Sequence, residues 1–141
     1  MISLKECVGA GLLRQTAPSK EQALLSLDKA ERALEDAKAN LKDGRYDATI
    51  ILGYAALLSA SKAILFRDGM REKSHACVVR YLEAKHSDKL NGRDIRLLDS
   101  FREARHEVQY SPAFKASELQ AREIVKFAGD FINKAGGIIG V

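Results

Sequence analysis

The chain has 141 residues, 46% of them hydrophobic and 30% charged, with a net charge of +4 and no Trp. That is enough for one domain with its own core. The mild positive excess permits contact with nucleic acid or nucleotide phosphates without requiring it.

The apolar mass is mainly Ala, Leu and Ile, which suits close helix–helix packing. The apolar run Ile50 to Phe66 carries Tyr54, Ser59, Ser61 and Lys62. It is too short and too polar to span a membrane, so a buried helix is expected and no membrane partner. Cys7 and Cys77 stand in a chain that opens without a secretory signal. They are expected as free thiols in a reducing cytoplasm.

Taken in order, Leu4, Val8, Leu12 and Leu13 are helically spaced across Met1 to Thr16, with Gly9 and Gly11 interrupting. A short, imperfect helix is expected there, broken at Ala17-Pro18. Ser19 and Gln22 form a capping-box pattern. The helix it opens has a core stripe of Leu27, Ala30, Leu34, Ala37 and Leu41 and ends at Asp43-Gly44. A second long helix runs from about Tyr46 to Arg67. Its middle is apolar nearly all round, which places it at the centre of a bundle or in a dimer interface. Arg67 to Ser74 reads as a basic loop. Ser74 then caps a third helix to about His86, with Cys77, Val78, Tyr81 and Leu82 inward.

A fourth helix spans about Asp94 to Gln109 and stops before Ser111-Pro112. Leu97, Leu98, Phe101, Ala104 and Val108 make its core face. Arg102, His106 and Tyr110 stack at i, i+4, i+8 beside that face, with Arg105 and Gln109 on a second line. This is the densest polar constellation in the chain. Ser117 and Gln120 form a further capping box, opening a final helix with Leu119, Ile124, Phe127, Ala128 and Phe131 inward.

No stretch alternates as a strand. The expected fold is all-α: an up-and-down bundle of four main helices plus a short N-terminal one. A single domain is expected over 1–141, with helix and linker at 1–18, the bundle at 19–134 and a Gly-rich tail at 135–141.

The three histidines are scattered and match no zinc or iron spacing. Glu103 and His106 give one Glu-x-x-His pair, but a di-iron bundle needs two. No Gly-rich phosphate loop follows a strand. No metal and no cofactor are expected. What remains is Arg/His/Tyr chemistry on the fourth helix, with Arg71 and Lys73 in the basic loop as weaker additions. Arg can hold a phosphate through two N–H groups, and an imidazole such as that of His106 can in principle serve as a general base in ribose 2′-OH chemistry.

The order of these features resembles the HEPN domain family. The resemblance covers roughly Ser19 to Phe131. It rests on the Ala-rich helices, Asp68-Gly69, Lys73-Ser74-His75 opening the third helix, and Arg105-His-Glu-Val-Gln-Tyr110 closing the fourth. Gly11-Leu-Leu-Arg14 is similar as well. The resemblance implies a helical bundle that dimerises near the motif. Many members are toxins that cut RNA without metal, using Arg, four to six residues, then His. Here Arg105 matches the Arg, His106 takes the polar place after it, and Tyr110 stands where the His would be. The chain is similar to the branch ending in Arg-x-x-x-x-Tyr. The Arg80 to His86 spacing lies on the third helix, away from the motif, and is discounted.

The expectation is a non-catalytic homodimer that binds nucleotide or single-stranded RNA phosphate at Arg102, Arg105, His106, Gln109 and Tyr110. It would partner a nucleotidyltransferase-type protein in a toxin–antitoxin-like setting. Two alternatives stay open: a metal-independent endoribonuclease toxin, and a purely structural helical dimerisation module.

Overall fold

The computed structural model describes residues 2–141. Along them run α1 (Leu4–Gly9), β1 (Leu13–Gln15), α2 (Lys20–Lys42), α3 (Tyr46–Asp68), β2 (Met70–Glu72), α4 (His75–Lys85), α5 (Gly92–Tyr110) and α6 (Glu118–Ile139). The fold is all-α, with α2, α3, α5 and α6 as its four long helices and two short ones added.

Short polar side chains set the starts of these helices. The hydroxyls of Ser19, Ser74 and Ser117 accept from the backbone N–H of Gln22, Cys77 and Gln120. Each satisfies one of the free donors of a first turn. Asn91 and Asp94 form a reciprocal capping box, so α5 begins at Gly92 rather than at Asp94. Asp94 also accepts from Lys134 Nζ at 2.6 Å, tying the start of α5 to α6. Gly69, at φ +80, ends α3 in the left-handed conformation that glycine adopts without strain.

α3 is the central helix. It packs against α2, α5 and α6, and Ile50, Tyr54, Leu57, Ile64 and Leu65 are all buried. Its length and apolar content would also suit a membrane crossing, but 61% of that window is buried inside the protein. A Cβ on Gly53 would sit 3.0 Å from Ile124, so the α3 and α6 backbones approach closely there. On α2, Leu27, Ala30, Leu34 and Ala37 are buried as the stripe requires.

Several expectations are overturned. Leu119 is 64% exposed. It lies five residues before Ile124, about 140° round the helix, off the stripe of Ala121, Ile124, Ala128 and Phe131. α6 continues through Gly136 and Gly137, burying Ile138 and Ile139. The N-terminal helix ends at Gly9. Gly11, at φ +71, turns the chain into β1. β1 pairs antiparallel with β2, Arg14 opposite Arg71, where a basic loop and no strand were expected. Strands of three residues are too short to show alternation.

Cys7 and Cys77, expected as free thiols, are instead joined by a disulfide. α1 lies against α4 with the two Cα atoms 5.8 Å apart, within disulfide reach. A separation of 70 residues hid this from the sequence. The bond removes the thiols as grounds for a reducing compartment.

The α3–α4 end is closed by a polar knot. Asp68 Oδ2 accepts from the Tyr81 hydroxyl at 2.8 Å and contacts His86 Nε2 at 2.6 Å. Its Oδ1 accepts from Arg67 at 3.0 Å. His86, the end of the discounted Arg80 to His86 spacing, is thereby committed to structure.

Candidate functional site: a fixed arginine between three helices

The site forms where α3, α4 and α5 meet. Arg105 is half-buried on α5. Its Nη2 lies 3.2 Å from Nδ1 of His75, the first residue of α4. Its Nη1 donates to Gln109 Oε1, one turn on, at 2.5 Å. The guanidinium carbon sits 5.0 Å from the centre of the Tyr54 ring, a cation–π distance. Tyr54 and His75 are themselves 5.8 Å apart, ring to ring. Arg105 Nε is buried and without a hydrogen-bond partner.

The protonation states follow. Arginine is a donor only, so Nδ1 of His75 accepts, and the neutral ring carries its proton on Nε2. Burial holds His75 below the usual histidine range; Arg105 adds to this, as do Lys62 and Arg102, while Glu72 opposes. Burial pushes the Tyr54 hydroxyl up to about 12, against the pull of Arg105 and Arg102. Tyr54 is therefore a neutral phenol at physiological pH.

The other sequence candidates fall in two groups. His106 and Tyr110 lie beside the cluster with their rings 4.7 Å apart, and Tyr110 is 68% exposed. Arg102 is drawn to Asp99, its Nε donating at 2.9 Å, rather than to His106. Arg71 stacks over Phe66 at 5.1 Å, and exposed Lys73 uses its backbone N–H on Leu12. Among the described residues no hydrogen bond, ion pair or ring contact joins Arg71 or Lys73 to the α5 cluster. Nor do three His, Cys, Asp or Glu side chains there come together to hold a metal.

Tyr54 and His75 were absent from the sequence candidates. Ser74 as N-cap did place His75 at the head of a helix. Tyr54 was visible as an aromatic hydroxyl in an apolar helix. Nothing in the spacing joined either one to Arg105.

The fold is an all-α helical bundle, and a fixed arginine stands near the end of one of its long helices. Residues 23–138 match the family model of the HEPN domain, and the chain belongs to that family. It is similar to a UPF0332 protein of Archaeoglobus fulgidus, 30% identical over 112 residues. That match covers 79% of this chain and 90% of the relative.

Proposed function

We propose that this HEPN-domain protein binds a phosphate group of a nucleotide or of single-stranded RNA at the Arg105 cluster and does not cut it. The observation that carries this reading is Arg105 itself. Its guanidinium is held by His75, Gln109 and the Tyr54 ring, yet each terminal nitrogen has a second N–H beyond the one bonded. Such a pre-positioned fork suits a phosphate oxygen pair. Lys62 and Arg102 add positive charge, and His106, Gln109 and Tyr110 offer exposed polar edges.

Cleavage is disfavoured by the chemistry at hand. Tyr110 stands where ribonuclease members carry His, which takes away the imidazole that would serve as the base. His106 is exposed with its ring against Tyr110, and any endoribonuclease activity would run through it. The proposal extends to a homodimer and to a nucleotidyltransferase-type partner in a toxin–antitoxin-like setting. Both rest on the family resemblance.

The test is fluorescence anisotropy with ATP, GTP and a short single-stranded RNA at two salt concentrations, for wild type and Arg105→Ala. Salt-sensitive binding that is lost in the variant supports the reading. Equal binding by both proteins would remove the phosphate from Arg105.

A further inference from the structure

We infer that the cleft between α1, the β1–β2 ribbon and α4 is a second binding site, for a small amphipathic anion: an apolar body carrying one carboxylate or phosphate headgroup. No residue of the arginine cluster lines this cleft. The inference is therefore independent of the phosphate-binding reading above.

Three surfaces build the cleft. Leu4 and Val8, one turn apart, line it from one face of α1. Leu13 and Gln15 alternate with Arg14 along β1, and Gln15 is paired with Met70, so Leu13, Gln15 and Met70 share a face of the ribbon. Tyr81 and Lys85, again one turn apart, line it from α4. The space is about 610 Å³, within the usual range of a small-ligand pocket. Leu13 and Tyr81 are buried, whereas Gly11, Gln15 and Lys85 are exposed and Val8 is 54% exposed, so the cleft opens to solvent. Its walls are set before any ligand arrives: the Cys7–Cys77 bond holds α1 on α4, and β1 is paired with β2. Pre-set walls lose little freedom on binding.

The polar groups set the chemistry of the ligand. The Tyr81 hydroxyl and both oxygens of Asp68 are already engaged, with each other and with His86 and Arg67. Arg67 also balances the Asp68 charge. Among the described residues no unpaired carboxylate therefore lines the cleft. The Lys85 ammonium and the Gln15 amide line it too, and among the described residues neither makes a hydrogen bond or ion pair. An unpaired cation beside Leu4, Val8, Leu13 and Met70 suits an acidic headgroup whose apolar body lies on those side chains. Arg14, exposed on the same lining, adds to the positive charge.

The test titrates the full chain with octanoate, octyl phosphate and 1-octanol by calorimetry, and maps each by backbone nitrogen–proton NMR. At least one of the two anions should bind more tightly than 1-octanol, with shifts concentrated at Leu13, Gln15, Met70 and Lys85. The tighter of the two names the headgroup. Lys85→Gln should weaken that anion about tenfold and leave 1-octanol unchanged. Val8→Glu, at an exposed wall position, should weaken it by a similar factor, because a like charge then faces the headgroup. Anion binding that Lys85→Gln leaves intact would overturn the inference, as would shifts gathered round Arg105 instead. So would an absence of binding by both anions. If Val8→Glu turns a dimer into a monomer, the cleft is a contact between two copies of the chain and the inference falls as well.

Discussion

Arg105 on α5 hydrogen-bonds Nδ1 of His75 on α4 across 3.2 Å, between residues 30 apart in sequence. This bond changes both partners. A helix-flank arginine, ordinarily free to sweep through solvent, becomes a fixed donor. A histidine, ordinarily close to half-charged near neutrality, becomes a neutral ring with one defined proton.

The titration of His75 tests that coupling. Burial is the larger cause of its lowered pKa and the Arg105 charge the next. Arg105→Ala should therefore raise the His75 pKa while leaving it below the ordinary value of about 6.5. An NMR titration of the His75 ring reads this directly. An unchanged midpoint would mean that the arginine charge is not felt at the ring.

Stability should follow the same group. His75 binds its proton less readily when folded than when unfolded. Its contribution is therefore fully present above about pH 6.5 and is lost as pH falls from there towards the lower folded value. Melting temperatures at pH 7.5 and 5.5 should differ more for wild type than for His75→Phe. Equal differences would take His75 out of the pH response.

Asp68 responds in a lower window. Burial alone would raise its pKa, but the bonds from His86, Tyr81 and Arg67 outweigh burial and hold the carboxyl below its usual value. Its contribution is present above about pH 3.9 and is lost as pH falls further. Asp68→Asn should cost about 2 kcal/mol at pH 7, since three donors lose a charged acceptor that is partly open to water. Urea unfolding at pH 7 measures this, and the gap from wild type should narrow near pH 3.

The Cys7–Cys77 bond closes a loop spanning 70 residues of sequence. Chain-entropy reasoning gives it about 4 kcal/mol of stabilisation. Protein unfolded without reductant should show no reactive thiol, and Cys7→Ser with Cys77→Ser should lower the melting temperature. Two titratable thiols in untreated protein would contradict the pairing.

Gly69 is held both by its backbone angle and by its neighbours. At φ +80 a Cβ would lie 2.7 Å from the carbonyl oxygen of Thr16 and 2.9 Å from the Pro18 ring. Gly69→Ala should cost about 2 kcal/mol or more through left-handed strain and that clash. Chemical denaturation would show it. A neutral result would mean that the α3–β2 turn is free to shift.

The helices were legible because their signals are local. A serine that caps its own first turn, a stripe repeating every three or four residues and a glycine closing a helix all act within a few residues. Ser19, Ser74, Ser117, the α2 stripe and Gly44 are therefore read directly, as is the line of Arg102, Arg105, His106, Gln109 and Tyr110 along α5. Leu119 departs from the expected stripe because a first-turn residue can share a helical spacing while facing away from the neighbours that bury the rest.

The sequence by itself determined the helical class, the family and the polar end of α5. Only the tertiary structure decided which of those polar groups work together. It turned Arg102 to Asp99, left Arg71 on Phe66, and brought His75 and Tyr54 to Arg105 from two other helices. It likewise paired Cys7 with Cys77 and β1 with β2. The physical reason is that helix propensity and capping depend on a few neighbouring residues. A hydrogen bond or disulfide between distant ones exists only once packing of the apolar faces sets how α1, α3, α4 and α5 lie against one another.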